Sequence, residues 1–140
     1  LNSARSFYAF DGYPHCFDAK SMAMFDHVAL GLIRRLCEET GVSICLSSDW
    51  RIVHSVHDCA NGLDLPIFDR TPDLNGPRGM EINAWLANHP EVTTYAIVDD
   101  NDGMLPDQLP FFVKTDHGNG LSMGDYSHLK WILGEALPTL

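Results

Sequence analysis

Apolar and polar positions change period several times along the chain, and each change marks an element. Residues 6–10 form a short apolar run that breaks at Gly12, which predicts a first strand. Residues 13–20 mix polar side chains with Pro14 and read as loop. From Ser21 the period lengthens. Phe25, Val28, Ala29, Leu32 and Leu36 line one side, with Arg34, Arg35, Glu38 and Glu39 opposite, so an amphipathic helix is expected up to Gly41. Residues 42–46 predict a second strand, and a helix follows to Ala60, closed by Asn61 and Gly62. Residues 63–68 read as a short third strand and 69–76, with Pro72, Asp73, Asn75 and Gly76, as loop. Arg78 opens a helix that turns Ile82, Trp85 and Leu86 inward, with Pro90 beyond its end. Residues 93–98 and 109–113 complete the strands, separated by a polar loop over 101–108. After a turn at 117–120, a last helix over 124–137 places Leu129, Ile132 and Leu133 inside.

Strand and helix alternate with short connections. That order predicts an α/β, Rossmann-like fold: a five-stranded parallel sheet with helices on both faces. Such folds bind ligands beyond the carboxyl ends of the strands, where Asp11, Ser47, Asp99 and Lys114 all fall. The 140 residues suit a single domain over 1–140, with room for a small insertion around 61–77.

Composition narrows the partners. With 45% hydrophobic and 20% charged residues the chain has an ordinary globular make-up, but its net charge of −10 argues against an extended nucleic-acid surface. A nucleotide or a strand end held by one phosphate stays open. No apolar run approaches the roughly 20 residues of a membrane span, and no leader pattern is visible. The four cysteines lack paired CxxC spacing and read as reduced thiols in or near the core of a cytoplasmic protein.

The strand tips carry the candidate chemistry. Asp99 and Asp100 either cap the next turn or hold Mg²⁺, a cation that offsets their repulsion. Ser47 and Ser48 either cap the following helix or donate to a phosphate. Arg51 and Arg78 either form ion pairs or clamp phosphate oxygens. Lys114 either ends its strand, touches substrate or supports Asp99. His54 and His57, beside Asp58 and Cys59, read as an exposed helix face rather than a metal site. Trp50 and Tyr13 lie near the expected opening, as packing residues or as a surface for stacking on a ring. Side chains two apart on a strand share a face, so position 9 belongs beside Asp11, and position 9 is alanine.

Taken in order, the tip around Ala9, Asp11 and Gly12, then Ser47, then Arg78 opening a helix, then Asp99 and Asp100 resembles the haloacid-dehalogenase-like (HAD) phosphohydrolase superfamily. The runs 46–51, 78–86 and 98–100 resemble small capless HAD domains of the RNA-repair-associated type, and the resemblance spans about residues 6–133. It implies a Mg²⁺-dependent phosphomonoester hydrolase acting through an aspartyl-phosphate on a nucleotide, a nucleic-acid end or a small phosphorylated metabolite. It places Ala9 where the attacking aspartate belongs, Asp11 as acid–base and Mg²⁺ ligand, Ser47 as phosphate donor, Arg78 as the charge-stabilising base and Asp99 with Asp100 as metal ligands. Ser48, Arg51 and Lys114 are the further substrate-binding candidates. Alanine cannot attack phosphorus, so the chain reads as an inactivated phosphatase, with a natural pseudo-phosphatase that binds phosphate as the alternative.

Overall fold

A computed structural model of the chain describes residues 13–134; the expected strand at 6–10, with Ala9 and Asp11, lies outside them. The helix expected from Ser21 is two helices, α1 (Ala19–Ala23) and α2 (His27–Thr40). Each opens on an aspartate, and the second of these, Asp26, divides the expected helix. Asp18 accepts from the Ser21 N–H at 2.7 Å, and the buried Asp26 accepts from the Ala29 N–H at 3.1 Å, each capping a fresh N-terminus. The buried stripe of α2 is Ala29, Leu30, Leu36 and Cys37; Val28, expected inside, sits off that stripe and is 63% exposed. Gly41 closes α2 in the left-handed region, φ 74°, as its sequence position predicts.

Strand β1 (Ile44–Leu46) is followed by α3 (Trp50–Val53) and α4 (Val56–Leu63), where one helix was expected. The backbone leaves helix at His54, and Ser55 caps α4 by accepting from the Asp58 N–H at 3.0 Å. Helix α4 runs through Asn61 and Gly62 because its end is satisfied from outside. The Arg34 guanidinium donates to the carbonyls of Leu63 (2.8 Å) and Asp64 (3.0 Å). The third strand is displaced accordingly, to β2 (Ile67–Arg70).

Helix α5 (Arg78–Ala87) stands where expected. Strand β3 (Ile97–Asp99) is shorter than its apolar run, and a 3₁₀ turn over Pro106–Phe111 takes the start of the expected fifth strand, leaving β4 as Phe112–Lys114. Helix α6 (Met123–Ile132) opens on a capping box between Ser122 and Asp125.

The described strands form two parallel pairs, β1 with β2 and β3 with β4, rather than one five-stranded sheet; no ladder joins β1 to β3 among the described residues. In the second pair Asp99 stands in register with Lys114. Two apolar clusters hold the layers. One gathers Phe25, Leu30, Cys59, Leu63, Leu65 and Ile67 between α2, α4 and β2. The other gathers Ala29, Leu36, Val113, Leu121, Tyr126 and Leu129 between α2, β4 and α6. Ile33 packs against both, so α2 is their common wall. At its far end α5 meets β2, where Trp85 Nε1 donates to Asp69 Oδ2 at 2.9 Å and the Trp85 ring stacks on His89.

All four cysteines are free. Burial raises the thiols of Cys37 and Cys59, and pushes Cys45 up to about 12 with help from the Asp69 charge. No described helix is long and apolar enough to cross a membrane.

Candidate active site

Parallel strands deliver their last side chains to one edge, and β3 delivers Asp99 and Asp100 there. The Asp99 side chain is 4% exposed and pairs with Arg78, whose Nη1 donates to Oδ2 at 2.5 Å. Its other oxygen accepts the Asn101 N–H at 3.1 Å. Asp99 therefore closes the turn, as one of its two expected roles has it, and pairs with a cation supplied by the protein itself. Asp100, half-buried, takes His117 Nδ1 at 3.0 Å; that hydrogen bond holds its carboxyl below the usual range although burial opposes it.

Arg78 comes from the first turn of α5. Burial works against its charge, but the Asp99 hydrogen bond and the charges of Asp99, Asp49 and Asp100 outweigh it, and the guanidinium is held above its ordinary value. Its Nη2 lies 3.8 Å from Asp49 Oδ1. A glycine permits this position of α5. A Cβ at Gly79 would stand 2.7 Å from the Gly103 carbonyl oxygen and 2.8 Å from the Leu105 nitrogen. The buried Gln108 locks the same approach, donating to the Gly79 carbonyl at 2.8 Å and accepting the Leu105 N–H at 2.8 Å.

Arg51 is not available as a phosphate clamp in this arrangement. Its side chain is 3% exposed. Nε donates to the Thr71 carbonyl (3.1 Å), Nη1 to those of Ser47 (2.9 Å) and Ser48 (3.0 Å), and Nη2 to the Pro72 carbonyl (3.4 Å) and to Glu81 Oε2 (2.9 Å). A guanidinium has five N–H donors, and these contacts use them all. Ser47 and Ser48 do not cap α3 either, because its N-cap is Asp49 and no side chain bonds there. Lys114 is half-exposed and pairs with Asp102 at 2.8 Å.

These segments enclose a cleft of about 370 Å³, lined by Asp49, Arg78, Glu81, Asn101, Asp102 and the glycines 76 and 103. A single guanidinium among acids and amides can take one oxyanion and, around it, hydrogen-bond donors. Asp49, Glu81 and Gln108 were not foreseen. Glu81 had a signal: it falls on the inward stripe of its helix with Ile82 and Trp85, and an acid there requires a buried cation.

Asp99 and Asp100 are hard oxygen donors of the kind Mg²⁺ takes, one or two carboxylates beside several waters; here Asp99 Oδ2 is held by Arg78, Asp99 Oδ1 by the Asn101 N–H and Asp100 Oδ2 by His117. No group of three or more metal-ligating side chains occurs among the described residues, and Asp11, the other expected ligand, is outside them. The histidines at 54 and 57 are otherwise engaged. His54 stacks on Trp50 and bonds the His15 carbonyl, and His57 bonds Asn61. Trp50 packs among Phe17, Phe25 and His54 rather than facing the cleft, while Tyr13 is exposed.

The model of one family, described as the HAD domain in Swiss Army Knife RNA repair proteins, matches residues 1–126. No curated protein and no solved structure matches the chain.

Proposed function

The chain belongs to the family of HAD domains in Swiss Army Knife RNA repair proteins, a class of phosphatase-type hydrolases, and we propose that it is built to remove a phosphate from a nucleotide, a nucleic-acid end or a small phosphorylated metabolite in the cytoplasm. The observation that carries this reading is the Arg78–Asp99 pair at the head of a cleft beyond the strand ends. Phosphoryl transfer asks a protein for positioning and for positive charge around the equatorial oxygens.

Arg78 supplies charge to the transferring group, Ser47 a hydroxyl to one of its oxygens, and Asp11 the proton for the leaving group. Asp99 and Asp100, with Asp11, would hold Mg²⁺, which when bound neutralises charge on the phosphate. Ala9 stands where an aspartate would attack, so turnover is absent in this chain; loss of a nucleophile costs roughly 10⁴ to 10⁶ in rate in other enzymes. The acidic surface and the acids around the cleft favour a substrate that presents one phosphate and otherwise neutral donors, not a long polyanion.

Ala9 also motivates a second reading, a phosphate-binding module without catalysis. The Ala9→Asp protein, assayed with Mg²⁺ and p-nitrophenyl phosphate, separates the two. Turnover is expected; a folded Ala9→Asp protein without turnover leaves only the binding module.

A further inference from the structure

We propose that Arg51 is a positioning residue for the phosphate subsite, fixing the backbone that presents the Ser47 hydroxyl and tying that backbone to the helix that carries Arg78. The inference rests on the phosphate-binding role given above to Ser47 and Arg78. Its basis is the distribution of the Arg51 contacts over three segments. Nη1 gathers the carbonyls of Ser47 and Ser48, at 2.9 and 3.0 Å. Nε and Nη2 gather those of Thr71 and Pro72, at 3.1 and 3.4 Å. Nη2 also meets Glu81 Oε2 at 2.9 Å, and Glu81 lies one turn after Arg78 on α5.

The guanidinium is planar and rigid, so these acceptors are held in one fixed relation. Glu81 extends the tie by accepting the Leu74 N–H at 2.8 Å, which secures the loop beside the cleft. Among the described residues no hydrogen bond engages the Ser47 hydroxyl, although its own carbonyl is pinned. A hydroxyl without a partner among the described residues, on a backbone held this firmly, is suited to a ligand oxygen, because little ordering remains to be done on binding. Arg51 itself does not touch the ligand: its side chain is 3% exposed, and Asp49 stands between it and Arg78, 3.7 Å from one and 3.8 Å from the other.

The test is titration of the chain with inorganic phosphate in the presence of Mg²⁺, followed by calorimetry, on the parent, Ser47→Ala, Arg51→Lys and the Ser47→Ala/Arg51→Lys double variant. Folding is checked by circular dichroism. Ser47→Ala is expected to weaken phosphate roughly tenfold or more, the loss of one charge-assisted hydrogen bond. Arg51→Lys keeps the charge but not the fork, and is expected to weaken phosphate to a similar extent. The double variant is expected to bind no worse than the weaker single one, because both changes remove the same contact. A merely structural Arg51 would lower the melting temperature and leave the affinity of the folded protein unchanged.

Unchanged affinity in folded Arg51→Lys, or fully additive losses, overturns the positioning role while the phosphate site stands. Unchanged affinity in Ser47→Ala, or no phosphate binding by the parent, overturns the phosphate site itself and the positioning role with it. If Arg51→Lys does not fold, Glu81→Gln replaces it: a weaker grip on Arg51 is expected to cost affinity in the same direction, and no change overturns the proposal.

Discussion

Arg78 and Glu81 stand one helical turn apart on α5 and reach opposite partners: Arg78 takes Asp99 on β3, and Glu81 takes Arg51 on α3. One turn of helix thus joins the acidic strand tip to the buried arginine behind the cleft. The burial of both pairs makes them sensitive to the loss of one member.

For the Arg51–Glu81 pair, with side chains 3% and 6% exposed, Glu81→Ala should destabilise the fold by about 3–5 kcal/mol, because it leaves a buried cation with one partner fewer. Arg51→Met combined with Glu81→Leu should not recover that loss, because it also strips the carbonyls of Ser47, Ser48, Thr71 and Pro72 of their donor. Urea denaturation of the single and double variants measures both. A double variant as stable as the parent would show that those carbonyls find other partners.

Removing Arg78 acts on the other pair. Arg78→Met leaves the buried Asp99 carboxylate without its cation, so the metal-free protein should lose about 3 kcal/mol or more. Millimolar Mg²⁺ should then raise the melting temperature of Arg78→Met more than that of the parent, since a cation bound only by the folded state stabilises by mass action. Asp99→Asn should abolish the Mg²⁺ response. An undiminished response in Asp99→Asn would remove Asp99 from the metal ligands.

Two glycines in helices should respond in opposite directions. At Gly79 a methyl group meets backbone atoms at 2.7 and 2.8 Å, so Gly79→Ala should cost about 1–3 kcal/mol. At Gly31 nothing lies within 4 Å of the added carbon, and Gly31→Ala should stabilise α2 by about 0.5–1 kcal/mol. Thermal unfolding of the two variants side by side checks the contrast.

Acid should weaken the seam between α2 and α6. Hydrogen bonds from Lys130, then Tyr126 and Arg35, hold the Glu39 carboxyl down at about 2, against an ordinary 4.5. A carboxyl depressed in the folded state adds stability above its unfolded value and loses it as protons bind. That share is present above pH 4.5 and disappears as the pH falls through about 2. Unfolding free energy followed across this window should fall less steeply in Glu39→Gln. Identical slopes would mean that the exposed pair is screened.

The hidden hydroxyl of Thr71 should prove dispensable. Thr71 is 4% exposed and its Oγ1 has no hydrogen-bond partner among the described residues. Thr71→Val removes a desolvated polar atom at nearly constant volume, so stability should hold or rise by about 1 kcal/mol in urea titration.

Periodicity located the helices better than it located their ends. Helix α5 and the stop at Gly41 follow directly from apolar spacing and glycine chemistry. The divisions at Asp26 and Ser55 were missed because a capping side chain within an apolar pattern outweighs the pattern locally. The run through Asn61 and Gly62 was missed because the distant Arg34 satisfies the carbonyls at the end of α4, and nothing nearby in the sequence announces it. At the site, residue order alone puts Asp99 and Arg78 forward, and the structure shows that they pair. Arg51 was legible as important but not in its role, since only burial shows that its donors face backbone rather than solvent.

The two strand pairs share no ladder among the described residues, yet α5 touches both: Arg78 holds Asp99 of β3, and Trp85 holds Asp69 of β2. The helix is therefore a tie-beam spanning the two halves. Together with α2, the common wall of both apolar clusters, it resists a shift of one half against the other, and such a shift would have to break a joint at one end of the beam.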